Sequence, residues 1–359
     1  NFPDMANAVR KQYRHFTVDE FQDVSPVQFE LLSLWLGDRD DVCVVGDPAQ
    51  TIYSFSGATS KYLINFATHF ARTQDFQLTH SYRSTEPIVS VANQVLAKDA
   101  TSPVRLSSKR GKGPSVNLTS YSSDEEEAKK IGLQISELLA SGISAREIAV
   151  LYRINSQSEI FEAELSALGI PVSLRGAERF FERVEVKNAL LNLRAGLHVT
   201  GDRPLLDMVR DILSSVGWRP QAPDSGRSAR ETWESLNTIV DLAAELQAKD
   251  PNAQLPEFVK ALDLRSELEF APSANAITLA SIHAAKGLEW EAVFVAGVSE
   301  GLLPISHATT AAEFNEERRL LYVAMTRAKT HLHLSWAKSR HTDGKGYREQ
   351  STLLRDLSL

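Results

Sequence analysis

An α/β fold interrupted by a helical insertion is predicted from three observations. Short apolar strands alternate with amphipathic helices, which implies a mainly parallel sheet. Two of those strands run straight into polar clusters, "DEFQD" at 19–23 and "GDPAQ" at 46–50, and strand ends are where such sheets hold ligands. From about 177 to 274 the periodicity is almost entirely helical, after which strand chemistry returns.

In chain order, residues 5–15 read as a helix leading into the strand "HFTV" at 15–18. Ser25 and Pro26 then open an amphipathic helix, because serine caps and proline suits a first helical turn. The strand "DVCVV" follows at 41–45, a helix at roughly 58–70, the strand "FQLTH" at 76–80, and a segment whose second part, up to Leu96, is helical. The Ser-, Gly-, Lys- and Pro-rich stretch 98–124 holds a linker and the strand "SVNLTSY". A helix with an acidic start covers "SDEEEAKKIGLQISELLA", "EIAVLYR" is a strand, and 156–168 is a helix. Within the helical block, "RPQAPDSGRSARET" at 219–232 reads as a loop. "AITLASIH" and "AVFVAGV" are strands, "NEERRLLYVAMTRAK" is a helix, and "HLHLSWA" is the last strand. The helical block therefore sits inside a second α/β domain.

The 359 residues give room for two or three domains. The net charge of −7 speaks weakly against a nucleic-acid partner, but such a footprint is local and can lie on an acidic body. Candidate basic patches are Arg105, Lys109, Arg110 and Lys112, and the stretch 338–348; a solvated loop is the alternative for each. The single cysteine, Cys43, excludes an internal disulfide, fits a reducing compartment, and reads as a small buried hydrophobe. No run is long enough for a membrane helix and the N-terminus has no signal-peptide pattern. The first residue is Asn1 rather than methionine, so the chain is expected to be a fragment or a processed product.

The chemistry-bearing residues fall into two constellations. Asp19 and Glu20 follow a buried strand directly. An aspartate there can hold Mg²⁺, directly or through water, and the neighbouring glutamate can deprotonate a water attacking a γ-phosphate. Gln50, beyond the second strand, offers a donor and an acceptor without charge and can sense that phosphate or that water. Phe55, flanked by small polar residues, either stacks on a base or anchors its loop. The second constellation holds Tyr82 and Arg83 in "HSYRS" and Arg327 in "AMTRAK". Each arginine alone would be read as a surface ion pair; as a pair that reaches a γ-phosphate only when domains close, they would couple hydrolysis to motion. Tyr82 can stack on adenine. His283, Lys286 and Glu289 lie in a turn-like segment between two apolar strands. Glu289 can accept from a ribose hydroxyl, and His283 and Lys286 can touch a phosphate backbone or relay nucleotide state. The histidines are scattered and have no cysteine beside them, so no zinc site is expected.

Six segments together, in order and spacing, resemble the UvrD/PcrA/Rep helicase family: "TVDEFQD", "VVGDPAQTIYSFSGA", "LTHSYRS", "IAVLYRINSQS", "LASIHAAKGLEWEAVFVAGVSEGLLP" and "EERRLLYVAMTRAK". The likeness touches nearly the whole chain and is thin from about 195 to 274. The resemblance implies RecA-like P-loop NTPase folds: a partial domain 1A at 1–80, domain 2A at 81–176 and 275–345, a compact helical domain 2B at 177–274, and a tail at 346–359. It implies 3′-to-5′ translocation on single-stranded DNA and unwinding at duplex junctions, with ATP and Mg²⁺, in repair or replication restart in the bacterial cytoplasm at the nucleoid. Asp19 would hold Mg²⁺ and Glu20 would be the base. Gln50 would contact the γ-phosphate and attacking water, and Tyr82 would stack on adenine. Arg83 and Arg327 would meet the γ-phosphate, and Glu289 the ribose. Tyr53, Phe55, His283 and Lys286 would lie on the DNA-coupling path.

Three features depart from the family pattern. No Gly-rich loop ending in Gly-Lys-Ser/Thr occurs in these residues; "KRGKGPS" lacks the spacing. The chain by itself is therefore expected to hydrolyse ATP negligibly, and an incomplete 1A sheet with an open apolar edge is expected to self-associate. "YSFSGA" has Phe55 where tryptophan is commoner and serines where arginine is commoner, which weakens the expected DNA grip. The short helical insert resembles an actinobacterial branch of the family. Two other readings stay open: a non-catalytic DNA-binding or regulatory relative, and the helicase portion of a RecB/AddA-type helicase–nuclease.

Overall fold

The computed structural model describes residues 3–99, 105–175, 180–197, 203–223, 227–267, 275–340, 346–355 and 357–358. The first unit is small. Helix α1 (Pro3–Gln12) precedes strand β1 (Phe16–Val18), and α2 (Pro26–Leu36) leads to β2 (Val42–Val44). A capping box closes the start of α2: the Gln28 N–H donates to Ser25 Oγ at 3.4 Å, and the Ser25 N–H to Gln28 Oε1 at 2.8 Å. The strands pair in parallel, Thr17 opposite Cys43. Their inner face packs on Phe21, Phe29, Leu32, Leu36 and Phe66. The other face is open, so Cys43 is exposed, against the expectation of burial: side chains alternate across a strand, and this one points away from the covered face.

The expected helix at 58–70 is two short turns, α3 (Lys61–Ile64) and α4 (Phe66–His69), broken at Asn65. Of the expected strand at 76–80 only His80 is in a strand. Phe76 and Leu78 are 80% and 81% exposed, and with no ladder partner an alternating pattern does not make a strand. Pairing starts only at β3 (His80–Ser81), which lies parallel to β4 (Ser107–Ser108). Between them runs α5 (Glu86–Leu96).

The larger unit is a six-stranded parallel sheet. Its strands are β5 (Asn117–Tyr121), β6 (Ile148–Tyr152), β7 (Val172–Arg175), β8 (Ile277–Ser281), β9 (Trp290–Val295) and β10 (Ala328–Ala337), in the order β5-β10-β9-β6-β8-β7. Every residue of β6 and β8 is buried, as a sheet covered on both faces requires. One face carries α6 (Asp124–Ala140) and α7 (Ser158–Ala167). The other carries α5, the loop residues Ala49 and Ile52, and a last helix. Between β7 and β8 come α8 (Val184–Gly196), α9 (Leu205–Ser215), α10 (Arg227–Lys249) and α11 (Leu255–Glu267), which share a core of their own that includes Leu193, Val209, Ile239 and Phe258. The expected loop at 219–232 is shorter than read, because 227–232 belong to α10. Their composition suits a helix, and the apolar series that follows them anchors it to this core.

The last helix is α12 (Ala311–Met325), which starts four residues before the expected point at Asn315 because Thr310 and Glu313 form a capping box. It also ends earlier: Thr326 caps it and Ala328 already pairs with Trp290 of β9. Arg327 is thereby placed at the amino edge of the sheet. No helix among the described residues is long and apolar enough to cross a membrane.

Glu127 of α6 is buried and ties that helix to the strand ends. It accepts from the Gly297 N–H at 3.0 Å and the Ser335 O–H at 2.5 Å. Burial, with the nearby Asp124 charge second, pushes its carboxyl up to about 7. A folded-state value above the unfolded one means the folded protein holds the extra proton, so stability falls as pH rises from about 4.5 through 7. Glu127→Gln keeps the acceptor without the titration. Its stability relative to the parent is expected to rise by about 2–3 kcal/mol between pH 5 and pH 8 in urea unfolding. A constant difference would contradict this.

Candidate active site

The strand end after β1 is strained and heavily cross-linked. Glu20 has φ 52° and ψ 38°, the left-handed region that a residue with a side chain seldom occupies, and strain of this kind gathers at functional sites. The Glu20 N–H donates to Asp19 Oδ1 at 2.8 Å, and Asp19 is exposed. Gln22 is 1% exposed. Its amide N–H donates to Glu20 Oε2, and its Oε1 accepts from the Asp47 N–H at 2.9 Å. Asp47 in turn accepts from the Ala49 N–H at 2.9 Å and from Gln50 Nε2 at 3.0 Å. The two polar clusters are thus one hydrogen-bonded body. Gly46 permits it: a Cβ there would lie 2.5 Å from Gln22 Oε1 and 3.1 Å from the Gln22 backbone nitrogen.

Lys286 joins this body to the large sheet. Its side chain is only 6% exposed. Nζ lies 3.1 Å from Glu20 Oε2, donates to Asp23 Oδ2, donates to the Gln50 carbonyl at 3.0 Å, and sits 5.3 Å from the centre of the Tyr53 ring. Burial raises the Asp23 carboxyl above its ordinary range, although the Lys286 hydrogen bond and charge oppose that. Lys286 is therefore packed among protein acceptors rather than offered to an open surface.

Across a crevice lie the arginines. Arg327 is 2% exposed, and Nε and Nη1 donate to the carbonyls of Val323 at 3.0 Å and Leu288 at 3.2 Å. Among the described residues no carboxylate forms an ion pair with it. Burial first, and the like charge of Arg83 second, push its guanidinium down to about 10, so it stays charged at neutral pH. Arg83 donates to Glu289 Oε2 at 2.5 Å, and Lys329 Nζ lies 3.1 Å from the other oxygen of that carboxylate. Partial burial would raise the Glu289 carboxyl, but the hydrogen bonds and charges of Lys329 and Arg83 outweigh it and hold it below the usual range. A cavity of about 190 Å³ is lined by Asp47, Gln50, Arg83, Ser84, Tyr322 and Arg327. Cationic and amide donors converging on one small cavity suit an anion of phosphate size. A larger cavity of about 560 Å³, bounded by α7 and α10, contains none of the candidate catalytic, nucleotide-binding or coupling residues, although Arg340 and Arg348 of the basic stretch 338–348 line it.

The aromatic residues form a third group. Phe55 is 56% exposed, with its ring centre 5.9 Å from that of Tyr53 and 5.7 Å from that of His283. The Tyr53 O–H donates to the His283 carbonyl at 2.9 Å, and His283 is buried. Glu316 of α12 accepts from the Ser54 N–H at 3.0 Å and from its hydroxyl, which pins this loop. Tyr82 stands apart from these groups: it is 77% exposed and does not line the cavity.

Sequence matches place this arrangement among known proteins. The family model for the UvrD-like helicase C-terminal domain matches residues 76–222 and 205–339, and that for the UvrD/REP helicase N-terminal domain matches 1–71. The chain belongs to the UvrD helicase family. Its two parallel units accordingly have the RecA-like α/β architecture of that family. The ATP-dependent DNA helicase UvrD2 of Mycobacterium tuberculosis is 44% identical over 362 residues, covering 99% of this chain and 52% of that protein. The ATP-dependent DNA helicase UvrD1 of Mycobacterium bovis is 28% identical, covering 96% of this chain and 57% of that protein. A probable DNA helicase II homolog of Mycoplasma capricolum is 27% identical, covering 94% and 57%. The chain thus spans about half the length of these relatives.

Several site residues escaped the reading of the sequence. Gln22 and Asp23 sit inside "DEFQD" and Asp47 inside "GDPAQ", so the motifs were visible while the roles were not. Lys329 beside Glu289, and Glu316 and Arg319 beneath the 51–56 loop, had no signal apart from lying in a recognisable segment; Arg319 Nε donates to the Thr51 carbonyl at 2.8 Å. The basic patches are largely engaged within the protein. Arg110 reaches Glu291 and the Arg83 carbonyl, Arg340 pairs with Asp241, and Arg348 with Asp124, while 341–345 lie outside the described residues.

The Gly46 contact yields a test. Gly46→Ala is expected to part Gln22 from the Asp47 amide, lowering stability by about 1–3 kcal/mol as overpacking does. Hydrogen exchange at the Asp47 amide should quicken at the same time. Unchanged protection there would show that the two clusters are not held by Gln22.

Proposed function

We propose that this chain is part of the motor of an ATP-dependent 3′-to-5′ DNA helicase, acting on single-stranded DNA and duplex junctions in repair or replication restart. The observation that carries the reading is the convergence of Asp47, Gln50, Arg83 and Arg327 on one small cavity, beside the strained Glu20. The family membership and the names of the relatives support it. On this reading residues 1–80 belong to domain 1A, 81–176 and 275–345 to domain 2A, and 177–274 to domain 2B.

The residue roles follow from their chemistry. Glu20 takes the proton of a water whose oxygen attacks the γ-phosphorus, while the bond to the β–γ bridging oxygen breaks and ADP leaves. Gln50, held by Asp47, orients that water or the phosphate oxygens. Arg83 and Arg327 neutralise charge on the transferring phosphoryl group. Glu289, fixed by Arg83 and Lys329, accepts from the ribose, and Tyr82 stacks on adenine. Among the described residues no three His, Cys, Asp or Glu side chains form a metal cage. A nucleotide-bound Mg²⁺ needs only one or two carboxylates, and the exposed Asp19 fits that demand. When bound, the ion would neutralise phosphate charge. Phe55 offers its face to a base.

The 359 residues contain no Gly-Lys-Ser/Thr loop to cradle the β- and γ-phosphates, so the chain by itself should hydrolyse ATP negligibly. Its open apolar side chains around β1 and β2 favour self-association at high concentration. In the longer protein carrying such a loop, single-stranded DNA should stimulate hydrolysis, and Glu20→Gln should lower the rate by about 10²-fold or more while nucleotide binding persists. A duplex with a 3′ single-stranded tail should be unwound and one with a 5′ tail should not. Hydrolysis indifferent to Glu20→Gln would remove Glu20 from its role, and preference for the 5′ tail would reverse the polarity.

A further inference from the structure

The exposed Phe55 ring and the Glu20 carboxylate are joined by an unbroken series of contacts. Phe55 packs against Tyr53 and His283. The His283 carbonyl accepts from both the Tyr53 O–H, at 2.9 Å, and the Lys286 N–H, at 3.3 Å. The Tyr53 ring also faces the Lys286 ammonium at 5.3 Å. That ammonium is bonded to Glu20, to Asp23 and to the carbonyl of Gln50. Every member of the series therefore touches Lys286 or one of its immediate neighbours, and the series ends on both residues that would handle the attacking water.

The arrangement at Glu20 matters for what Lys286 does. Gln22 Nε2 and Lys286 Nζ both approach Oε2, the same carboxylate oxygen. An ionised carboxylate oxygen has about two acceptor positions, so these donors leave Oε2 little capacity for a water and fix the plane of the group. Gln22 is anchored through the Asp47 amide within the same small unit, whereas Lys286 arrives from the turn between β8 and β9. Of the two restraints, Lys286 is the one that faces the Tyr53 ring and shares the His283 carbonyl with it.

We infer that Lys286 is a positioning residue that holds Glu20 in an unproductive orientation, and that single-stranded DNA stacking on Phe55 draws it away through Tyr53 and the His283 turn. The inference rests on the helicase reading for its consequence in hydrolysis. Its structural part, the release of Lys286 by DNA, can be read separately. A stacked base displaces the Phe55 edge from Tyr53 and His283; the shared His283 carbonyl moves; the ammonium leaves Glu20. A buried cation is stable only with its partners, so the new position must be more open to water.

Two measurements test this. In the first, Lys286 of this protein is labelled with an amine-reactive reagent, with and without saturating oligothymidylate, and quantified by peptide mass spectrometry. Labelling should rise about tenfold with DNA, following the exposed fraction of the amine, and Phe55→Ala should abolish the rise. Unchanged labelling with DNA bound, or a rise that survives Phe55→Ala, overturns the inference. In the second, hydrolysis is followed in the full-length protein. Lys286→Gln should raise the rate without DNA about tenfold and bring the DNA-stimulated ratio close to one, whereas Lys286→Arg should keep most of the stimulation. Equal loss with and without DNA in Lys286→Gln would mark Lys286 as a structural prop and overturn the restraint. A DNA-dependent rise in labelling in a full-length protein that shows no hydrolysis would uphold the release of Lys286 and defeat the helicase reading instead.

Discussion

The structure turns on one buried ammonium. Lys286 comes from the large sheet, yet its acceptors Glu20, Asp23 and Gln50 all belong to the small N-terminal unit. A cation taken out of water costs several kcal/mol unless it is paired, so the two units are coupled through a site that neither can satisfy alone. Neighbouring contacts repeat the pattern. Arg319 of α12 reaches the Thr51 carbonyl and the Asp99 carboxylate, and Glu316 of the same helix holds Ser54. Ala49 and Ile52 complete the apolar core on that face of the six-stranded sheet. The small unit is docked by charge at its rim and by burial at its centre.

That docking sets two different strand edges against each other. Asp19, Glu20 and Gln50 lie beyond the carboxyl ends of β1 and β2. Glu289 and Arg327 lie just before the amino ends of β9 and β10. One wall of the crevice carries Asp19, Glu20 and Gln50; the other carries the guanidinium groups of Arg83 and Arg327, with Glu289 held by Arg83 and Lys329. On the proposed function, a phosphate placed there would be neutralised by Arg83 and Arg327 only while their wall lies close to Gln50 and Glu20. Strain at Glu20 and a low-exposure arginine without a carboxylate partner among the described residues are costs that a purely structural interface would not carry.

Much of the fold was legible because its signals are local. The strands around Val18, Val44, Val150, Leu279 and Phe294 announce themselves by short apolar runs, and the starts of α2 and α6 by Ser25 and Ser123. The misreadings have local causes too. "FQLTH" has the alternation of a strand but finds a ladder partner only at His80, its last residue, and Cys43 lies in an apolar run whose outer face is uncovered. The capping pair Thr310 and Glu313 shifted α12 toward the N-terminus, and "TRAK" went to the sheet because Ala328 had Trp290 to pair with.

By itself the sequence determined most of the order of elements, the parallel character of the sheets, and which side chains are candidates for acid, base and phosphate-binding chemistry. Those depend on side-chain type and on spacings of a few residues. Tertiary structure alone decided that Gln22 would bind Glu20 to Asp47, that Lys286 would turn inward to three acceptors, and that Arg83 and Lys329 would share Glu289. Most of those partners are far apart along the chain: Arg83 and Glu289 by 206 residues, Lys286 and Asp23 by 263. Which donor meets which acceptor at such separations is settled by how the units pack, and no local pattern encodes it.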